Sequence, residues 1–118
     1  MIKVYGIRNC DTCRKALKWL EAKGLSHEFH DFRVDGLAGA TVATFIDKLG
    51  VEVLVNRRST SWRALDEKGR SVFAGTDNKA VAAALVDNPT LIKRPVFEFS
   101  GNIINGFTEA QKSALSAG

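Results

Sequence analysis

The sequence is poor in the residues that hold small secreted domains or metal-dependent domains together. Its 118 residues include only two cysteines, two prolines and two histidines. A chain of this length can bury enough apolar surface to fold as one domain without a disulfide scaffold or a structural metal. Both cysteines fall in one short motif, Cys10-Asp11-Thr12-Cys13. In a reducing compartment such a pair is more often catalytic or metal-binding than structural.

Long apolar runs and dense basic blocks are also absent. Residues 1–6 reach a glycine after only a few apolar side chains, so they predict neither a signal peptide nor a membrane span. We therefore expect a cytoplasmic protein with no membrane partner. The formal net charge of +4 is spread along the chain, which favours attraction to small anions over nucleic-acid binding. Nothing in the sequence requires a state larger than a monomer.

The apolar periodicity predicts an α/β chain in the order β-α-β, then a helical middle, then β-β-α. Alternating β-branched and aromatic residues predict strands at residues 2–6, 26–32, 96–99 and from 103. Helical spacing predicts helices from about residue 12 to Gly24, at 40–49, around 62–65, at 78–86 and after Thr108, whose capping-box partner is Gln111. Residues 66–70 are predicted to form a polar turn.

Cys10 lies at the junction of the first strand and the first helix, where a thiol becomes reactive. The nucleophile is the thiolate, and a free thiol with a pKa of about 8.5 is mostly protonated at neutral pH. The unpaired N–H groups at a helix N-terminus stabilise the thiolate. Cys13, in the first helical turn, is close enough to resolve a mixed disulfide. Arg14 and Lys15 add positive charge near Cys10, and the negative charge of Asp11 opposes it. The alternative interpretation is that both cysteines are simply small buried residues.

Zinc is a weaker interpretation of the same residues. Cys10, Cys13, His27 and His30 resemble a zinc-finger set, but only two residues separate the histidines, where finger patterns have three to five. If residues 26–32 form a strand, the two histidines point to opposite faces. We therefore expect no metal and assign the histidines no role.

Three motifs together resemble the arsenate reductase-like family (ArsC/Spx/YffB), and most of all its YffB-type branch. They are Gly-Ile-Arg-Asn-Cys-Asp-Thr-Cys-Arg-Lys-Ala at residues 6–16, Leu-Val-Asn-Arg-Arg-Ser-Thr-Ser-Trp-Arg at 54–63, and Asn-Pro-Thr-Leu-Ile-Lys-Arg-Pro-Val at 88–96. The resemblance covers essentially the whole chain. It implies a thioredoxin-like fold, a single domain over residues 1–118 with a helical insertion at about 34–90.

The resemblance also implies the site. Cys10 is similar to the family's nucleophile, and Arg94 to the arginine of its Leu-Ile-x-Arg-Pro segment. Pro95 takes the place of the cis proline that lies beside the reactive cysteine in thioredoxin-like folds. A guanidinium pairs with oxyanions through two hydrogen bonds and favours a nearby thiolate. A second arginine is expected from Arg57 or Arg58, and we prefer Arg58.

Two loop residues complete the expected site: Asn9 and Thr12 are candidates for polar substrate contacts, with helix capping as the alternative for Thr12. Trp62 could line the cleft, although a packing role is the simpler interpretation. Cys13 is an optional catalytic partner, because an external thiol could replace it.

The motif set departs from arsenate reductases of this family, which use a third arginine on the C-terminal hairpin. The corresponding residues 103–107, Ile-Ile-Asn-Gly-Phe, contain none. The resemblance to the YffB-type branch implies instead a glutathione-dependent thiol reductase, with no bound cofactor and glutathione as co-substrate. Arsenate reduction and a redox-sensing regulator that binds RNA polymerase, as in the Spx branch, stay open as alternatives.

Overall fold

A four-stranded sheet joins the two ends of the chain in the computed structural model, which describes residues 1–117. The strands are β1 (Ile2–Gly6), β2 (His27–Asp31), β3 (Val96–Phe99) and β4 (Asn102–Asn105). They lie in the order β2-β1-β3-β4, with β1 and β2 parallel and the other pairs antiparallel. This arrangement confirms the predicted thioredoxin-like fold, with its N-terminal β-α-β and C-terminal β-β-α units.

Seven α-helices are found among the described residues. They are α1 (Asp11–Ala22), α2 (Gly39–Leu49), α3 (Val51–Leu54), α4 (Thr60–Arg63), α5 (Glu67–Ser71), α6 (Asn78–Asp87) and α7 (Glu109–Ala117). Two 3₁₀ turns, Val72–Ala74 and Pro89–Leu91, complete the helical middle of the chain. Within residues 1–117 there is no helix with the length and apolar character needed to cross a lipid bilayer.

The chain forms two compact units. The first unit joins Met1–Gly36 to the residues from Arg94 onward, and the second comprises Leu37–Lys93. The first therefore holds the whole sheet with α1 and α7, and the second holds α2 to α6. The single domain with an insertion at about residues 34–90 stays a prediction.

The core of the first unit lies between one face of the sheet and helices α1 and α7. Period-two alternation in β1 turns Ile2 and Val4 toward these helices and Lys3 and Tyr5 to the other face. The buried side chains of this cluster come from two strands and both helices: Ile2, Val4, Ala16, Leu20, Phe97, Phe99 and Leu115. Because these contacts join β1 to α1, they fix the strand–helix junction that contains the two cysteines.

Gly24 ends α1 as predicted, through a left-handed residue just beyond the helix. Its φ angle is 66°. The N–H of Gly24 donates to the carbonyl of Glu21 at 3.1 Å, and the N–H of Leu25 to that of Leu20 at 3.0 Å. This pair of bonds is the Schellman motif, which satisfies carbonyls at the end of a helix.

The second unit is helical, and one prediction within it was wrong. Residues 66–70 were expected to form a turn, but most of them belong to α5. Asp66 caps this helix by accepting a hydrogen bond from the N–H of Gly69 at 2.7 Å. The turn-like composition of the segment is therefore that of a capped, short helix, since Asp is favoured both in turns and at helix N-termini.

Backbone hydrogen bonds join two distant segments within the second unit. The N–H of Asn56 donates to the carbonyl of Leu91 at 2.8 Å, and the N–H of Lys93 to that of Leu54 at 2.8 Å. The side chains of Ser61 and Thr90 add a hydrogen bond of 2.6 Å. The segment that leads into Arg94 is thereby held on residues 54–61.

Replacing Gly24 by alanine should lower the free energy of unfolding by about 1 kcal/mol, since a side chain in the left-handed region costs roughly 1–2 kcal/mol. No heavy atom lies within 4 Å of the added Cβ, so backbone strain is the expected cause. Urea unfolding of both proteins measures the difference.

Gly39→Ala is the matched control, because its added Cβ also meets nothing within 4 Å and Gly39 has no positive φ angle. Its stability should stay equal to that of the natural protein or rise slightly, since alanine favours a helix. Equal effects of the two substitutions would contradict the assignment of strain to Gly24.

Candidate functional site

Cys10 is the N-cap residue of α1. Its backbone is extended, with φ −139° and ψ 120°, and its carbonyl accepts the first helical hydrogen bond from the N–H of Arg14 at 3.0 Å. The side chain is partly exposed, and the backbone N–H of Cys13, in the first turn of α1, stabilises its thiolate. The thiol therefore faces the helix N-terminus while its sulfur stays accessible to solvent.

Cys13 lies one turn further on and is completely buried. A Cβ built on Gly6 would come within 2.5 Å of the Cys13 Sγ atom and 3.5 Å of Phe29. The absence of a side chain at Gly6 thus leaves the space that the sulfur occupies, and the end of β1 and the first turn of α1 touch at this point.

The pKa of the Cys10 thiol lies below its usual value. Burial acts to raise this pKa, but three groups together outweigh it: the backbone N–H of Cys13, the guanidinium of Arg94 and the thiol of Cys13. Because each of these stabilises the thiolate, a larger fraction of Cys10 is ionised at neutral pH than for a free cysteine.

The pKa of Cys13 moves in the opposite direction. Burial is the main cause, and together with the adjacent Cys10 sulfur it raises the pKa of Cys13 to about 12. The N–H of Ile7 acts in the opposite direction but does not offset this rise. Cys13 is therefore a neutral thiol at neutral pH and acts as a donor toward the Cys10 thiolate.

The sheet brings Arg94 to this junction from the far end of the sequence. Tyr5 in β1 pairs with Val96 in β3, so the residues just before Val96 run alongside the end of β1 where the cysteine motif begins. The Arg94–Pro95 peptide bond is cis, as the resemblance predicted. Arg94 is half-buried and Pro95 is buried.

The other charges at the start of α1 act on each other more than on the thiol. Arg14 forms an exposed ion pair with Asp11 at 3.0 Å. Neither Arg14 nor Lys15 is among the main causes of the shift in the Cys10 pKa. The positive charge expected from these two residues is therefore supplied by Arg94 instead.

Asn9 and Thr12 are both exposed beside Cys10. The side-chain oxygen of Asn9 accepts a long hydrogen bond from Arg14 at 3.5 Å. Thr12 lies inside the first turn of α1 and Cys10 is the N-cap, so the capping role considered for Thr12 is wrong. Their contacts with substrate stay a prediction.

In the second unit, Arg57 and Arg58 differ in how their guanidinium groups are used. Arg57 pairs with both carboxylate oxygens of Glu52 and lies 5.3 Å from the ring centroid of Trp62. Within residues 1–117 no side chain pairs with the guanidinium of Arg58, which is exposed. Trp62 packs on Phe73 at 5.5 Å between ring centroids, which agrees with the packing interpretation.

The two histidines make local hydrogen bonds. His27 Nδ1 lies 2.8 Å from the carbonyl of Leu25, and His30 Nε2 lies 2.6 Å from that of Gly36. No group of three or more His, Cys, Asp or Glu side chains within the described chain is arranged to hold a metal ion.

The contacts of two residues of this region were not anticipated from the sequence. Gly6 was correctly predicted as the last residue of the first strand, but its contact with Cys13 was not anticipated. Asp31 was given no role, yet its buried carboxylate accepts a hydrogen bond from the N–H of Arg8, two residues before Cys10. An Asp at a strand end followed by a polar loop is the one available sign of such a turn.

A family model for the ArsC family matches residues 5–115. The chain belongs to the ArsC family. An uncharacterized protein of Haemophilus influenzae is 45% identical over 117 residues, which cover 99% of this chain and 100% of that protein. These comparisons confirm the resemblance drawn from the three motifs.

Solved structures of ArsC-family proteins agree. A YffB protein is 30% identical, covers 98% of both chains and superposes with a TM-score of 0.86. An arsenate reductase-related protein from Brucella melitensis is 38% identical, covers 96% of this chain and 92% of its own, and gives a TM-score of 0.75.

Gly6→Ala should destabilise this ArsC-family protein by about 1–3 kcal/mol, the usual effect of overpacking a buried site. The clash is with the Cys13 Sγ atom at 2.5 Å. In a Cys13→Ala background, where that sulfur is gone, the same substitution should cost less than half as much. Urea unfolding of the four proteins gives the coupling energy, and a coupling near zero would contradict a direct Gly6–Cys13 contact.

Native alkylation of the ArsC-family protein should modify Cys10 and leave Cys13 unmodified, because only Cys10 is accessible and partly ionised.

Arg94→Gln removes a positive charge and should move the midpoint of Cys10 alkylation to higher pH. The rate at neutral pH should then fall about three- to tenfold. Iodoacetamide rates read by peptide mass spectrometry measure both effects.

Lys93→Gln is the charge-matched control for Arg94→Gln, since Lys93 is exposed and is not among the main causes of the shift in the Cys10 pKa. An equal loss of rate in both variants would indicate a general charge effect rather than a specific action of Arg94.

Proposed function

We propose that this protein is a glutathione-dependent thiol reductase in which Cys10 is the nucleophile. The observation that carries the proposal is an accessible thiol with a lowered pKa, supported by the Cys13 N–H and the Arg94 guanidinium. Membership of the ArsC family, with its arsenate reductase-like members, supports a thiol-dependent oxidoreductase at the general level.

The reaction takes place in two thiol–disulfide exchanges. The Cys10 thiolate attacks the glutathione sulfur of a mixed disulfide between glutathione and a second thiol. A Cys10–glutathione disulfide forms, the original S–S bond breaks, and the released thiolate takes a proton from solvent. A glutathione thiolate then attacks the glutathione sulfur of this adduct. Oxidised glutathione leaves, and Cys10 returns as the thiolate.

Glutathione suits the second step better than Cys13 does. Burial is the main cause of the raised Cys13 pKa, and burial persists when Cys10 is in a mixed disulfide. Burial alone keeps the pKa of Cys13 above its ordinary value, so Cys13 offers little thiolate at neutral pH. Cys13 then serves the site as a hydrogen-bond donor to Cys10, and the raised pKa of its thiol argues against a role as resolving thiol.

The proposed substrate is anionic, since glutathione carries two carboxylates. Arg94 and Arg58 are the candidate guanidinium groups for them, because a guanidinium binds a carboxylate with two hydrogen bonds. Asn9 and Thr12 are candidates for neutral polar contacts, and the backbone at Pro95 for main-chain pairing with an extended peptide-like substrate. The net charge of +4 supports the same class of ligand.

The proposal includes the setting in which the protein acts. A free reactive thiol and a glutathione co-substrate both require a reducing compartment, which is the cytoplasm. The chemistry needs one chain, no bound cofactor, no nucleic acid and no membrane.

Arsenate reduction and redox regulation are less well supported. Residues 103–107 of the C-terminal hairpin include no arginine, so an arsenate oxyanion would lose charge-assisted hydrogen bonds of about 1.5–3 kcal/mol each. A regulator of the Spx type would use a Cys10–Cys13 disulfide as its switch, and the high pKa of Cys13 slows its attack on an oxidised Cys10.

Treatment with oxidised glutathione should give a stable Cys10–glutathione adduct. Cys10→Ser should lose both the adduct and glutathione-linked reduction of a mixed disulfide. Cys13→Ala should keep the adduct and most of the activity, because the second thiol is external. Intact-protein mass spectrometry and a coupled assay that follows oxidised glutathione measure these outcomes.

Activity that survives in Cys10→Ser would refute the proposal. A Cys10–Cys13 disulfide in place of the adduct would instead favour an internal resolving thiol.

An arsenate assay coupled to glutathione and glutaredoxin, run on the same preparation, should stay at background. A pull-down with RNA polymerase under oxidising and reducing conditions should enrich neither state.

A further inference from the structure

Asp31, the last residue of β2, has a buried charge that the chemistry above does not use. Its exposed fraction is 2%, and Asn105 is the only other buried polar side chain among the described residues. Charged side chains are rarely so deeply buried unless their hydrogen-bonding capacity is satisfied. The hydrogen bonds of Asp31 therefore show what the buried carboxylate holds in place.

The carboxylate joins two separate segments of backbone. Oδ2 accepts a hydrogen bond from the N–H of Arg8 at 2.9 Å, and Oδ1 accepts one from the N–H of Arg33 at 2.8 Å. Arg8 lies between the end of β1 and Cys10. One carboxylate oxygen thus contacts the cysteine loop, and the other contacts the turn that follows β2.

Asp31 is itself held on both sides. Its backbone pairs in register with Gly6, and the next residue, Phe32, donates its N–H to the Gly6 carbonyl at 2.8 Å. Its own N–H donates to the carboxylate of Asp35 at 2.9 Å, and the N–H of Asp35 donates back to the Asp31 carbonyl at 2.8 Å. The carboxylate is therefore presented to the loop from a fixed position.

We propose that Asp31 is a positioning residue that holds the loop before Cys10 through the N–H of Arg8. The loop residues between Gly6 and Cys10 set where the N-cap lies relative to the first turn of α1 and to Arg94. If the loop shifts, the Cys10 sulfur loses its alignment with the Cys13 N–H and the guanidinium. The inference rests on the proposed role of Cys10 as the reactive thiol.

The ionisation of Asp31 suits this task. Burial acts to raise the pKa of its carboxyl group, but hydrogen bonds from the backbone of Arg33, Arg8 and Val34 outweigh burial and lower it. The group is a carboxylate at neutral pH, and a carboxylate accepts hydrogen bonds with both oxygens. An asparagine of the same size offers only one accepting oxygen.

The sign of the effect separates positioning from simple electrostatics. A negative charge near a thiol raises the pKa of the thiol, so removing the charge alone would lower the pKa of Cys10 and speed its alkylation. Loss of positioning has the opposite effect, because the thiolate loses its stabilising donors. The two explanations predict shifts of opposite sign in the same experiment.

The experiment compares Asp31→Asn with Asp35→Asn by measuring the rate of Cys10 alkylation against pH. Asp35→Asn removes the same charge from the same turn and does not touch Arg8. Its remaining amide oxygen can still accept the hydrogen bond from the Asp31 N–H, which uses one oxygen of Asp35. In Asp31→Asn the alkylation midpoint should rise, and the rate at neutral pH should fall about three- to tenfold. In Asp35→Asn both should stay close to those of the natural protein.

An unchanged or lowered midpoint in Asp31→Asn would overturn the inference, and so would equal shifts in the two variants. The natural protein tests the proposed function separately: if Cys10 titrates there as an ordinary thiol, the proposed function fails whatever Asp31 does. If Cys10 of the natural protein titrates below the usual thiol range and Asp31→Asn does not change that midpoint, only the positioning role of Asp31 is refuted.

A second measurement avoids dependence on a variant that does not fold. In the natural protein, the amide proton resonances of Arg8 and Arg33 should shift together in one acidic step as Asp31 is protonated. The Cys10 amide should follow the same step, because its loop is released. An Arg8 resonance that does not titrate, or a Cys10 resonance that does not follow it, would overturn the inference.

Discussion

The contact between the Cys13 sulfur and the backbone of Gly6 is the constraint on which the rest of the site depends. The sulfur of Cys13, in the first turn of α1, is completely buried. It occupies the space that a Cβ atom at Gly6 of β1 would need. The apolar cluster beneath, with Val4 and Ala16, holds strand and helix together. Cys10 is then left at the N-cap, partly exposed, because its neighbour in the motif fills the interior.

The same contact explains why two cysteines three residues apart have opposite acidities. Burial raises the pKa of both thiols, and what differs is the set of groups that can offset burial. Cys10 faces the helix N-terminus and the Arg94 guanidinium. For Cys13, the N–H of Ile7 and the charge of Arg94 do not offset its deeper burial and the repulsion of a Cys10 thiolate. The motif thus yields one thiol of lowered pKa and one neutral donor rather than two equivalent thiols.

Local periodicity was sufficient to predict the strands, most of the helices and the cap residues Gly24 and Gln111, because each depends on side chains only a few positions apart. Gln111 does accept the expected hydrogen bond from the N–H of Thr108, at 2.7 Å. The helix α5 was missed because Asp66 has the same composition signal in a turn and at an N-cap. The cis bond at Pro95 was available only through the family resemblance.

Long-range partners could not be predicted in the same way. The sequence contains Arg14 and Lys15 beside Cys10 and Arg94 far from it. The distant residue is the arginine that mainly lowers the pKa of the thiol, whereas Arg14 pairs with Asp11. The choice between Arg57 and Arg58 likewise depends on Glu52 and Trp62, which occupy one guanidinium and not the other. Asp31 accepts hydrogen bonds from backbone N–H groups, and its place at a strand end before a polar loop was the one sign of them in the sequence.

A lowered Cys10 pKa assists both exchanges of the proposed reaction, but for different reasons. In the first, it increases the fraction of thiolate, although a less basic thiolate is also a weaker nucleophile. In the second, Cys10 is the leaving group, and a thiol of lower pKa leaves faster. The Arg94 guanidinium and the Cys13 N–H stabilise the charge on Cys10 before attack and again on release. A site that depends on an external thiol gains from this symmetry, because the same fixed groups promote both formation and breakdown of the mixed disulfide.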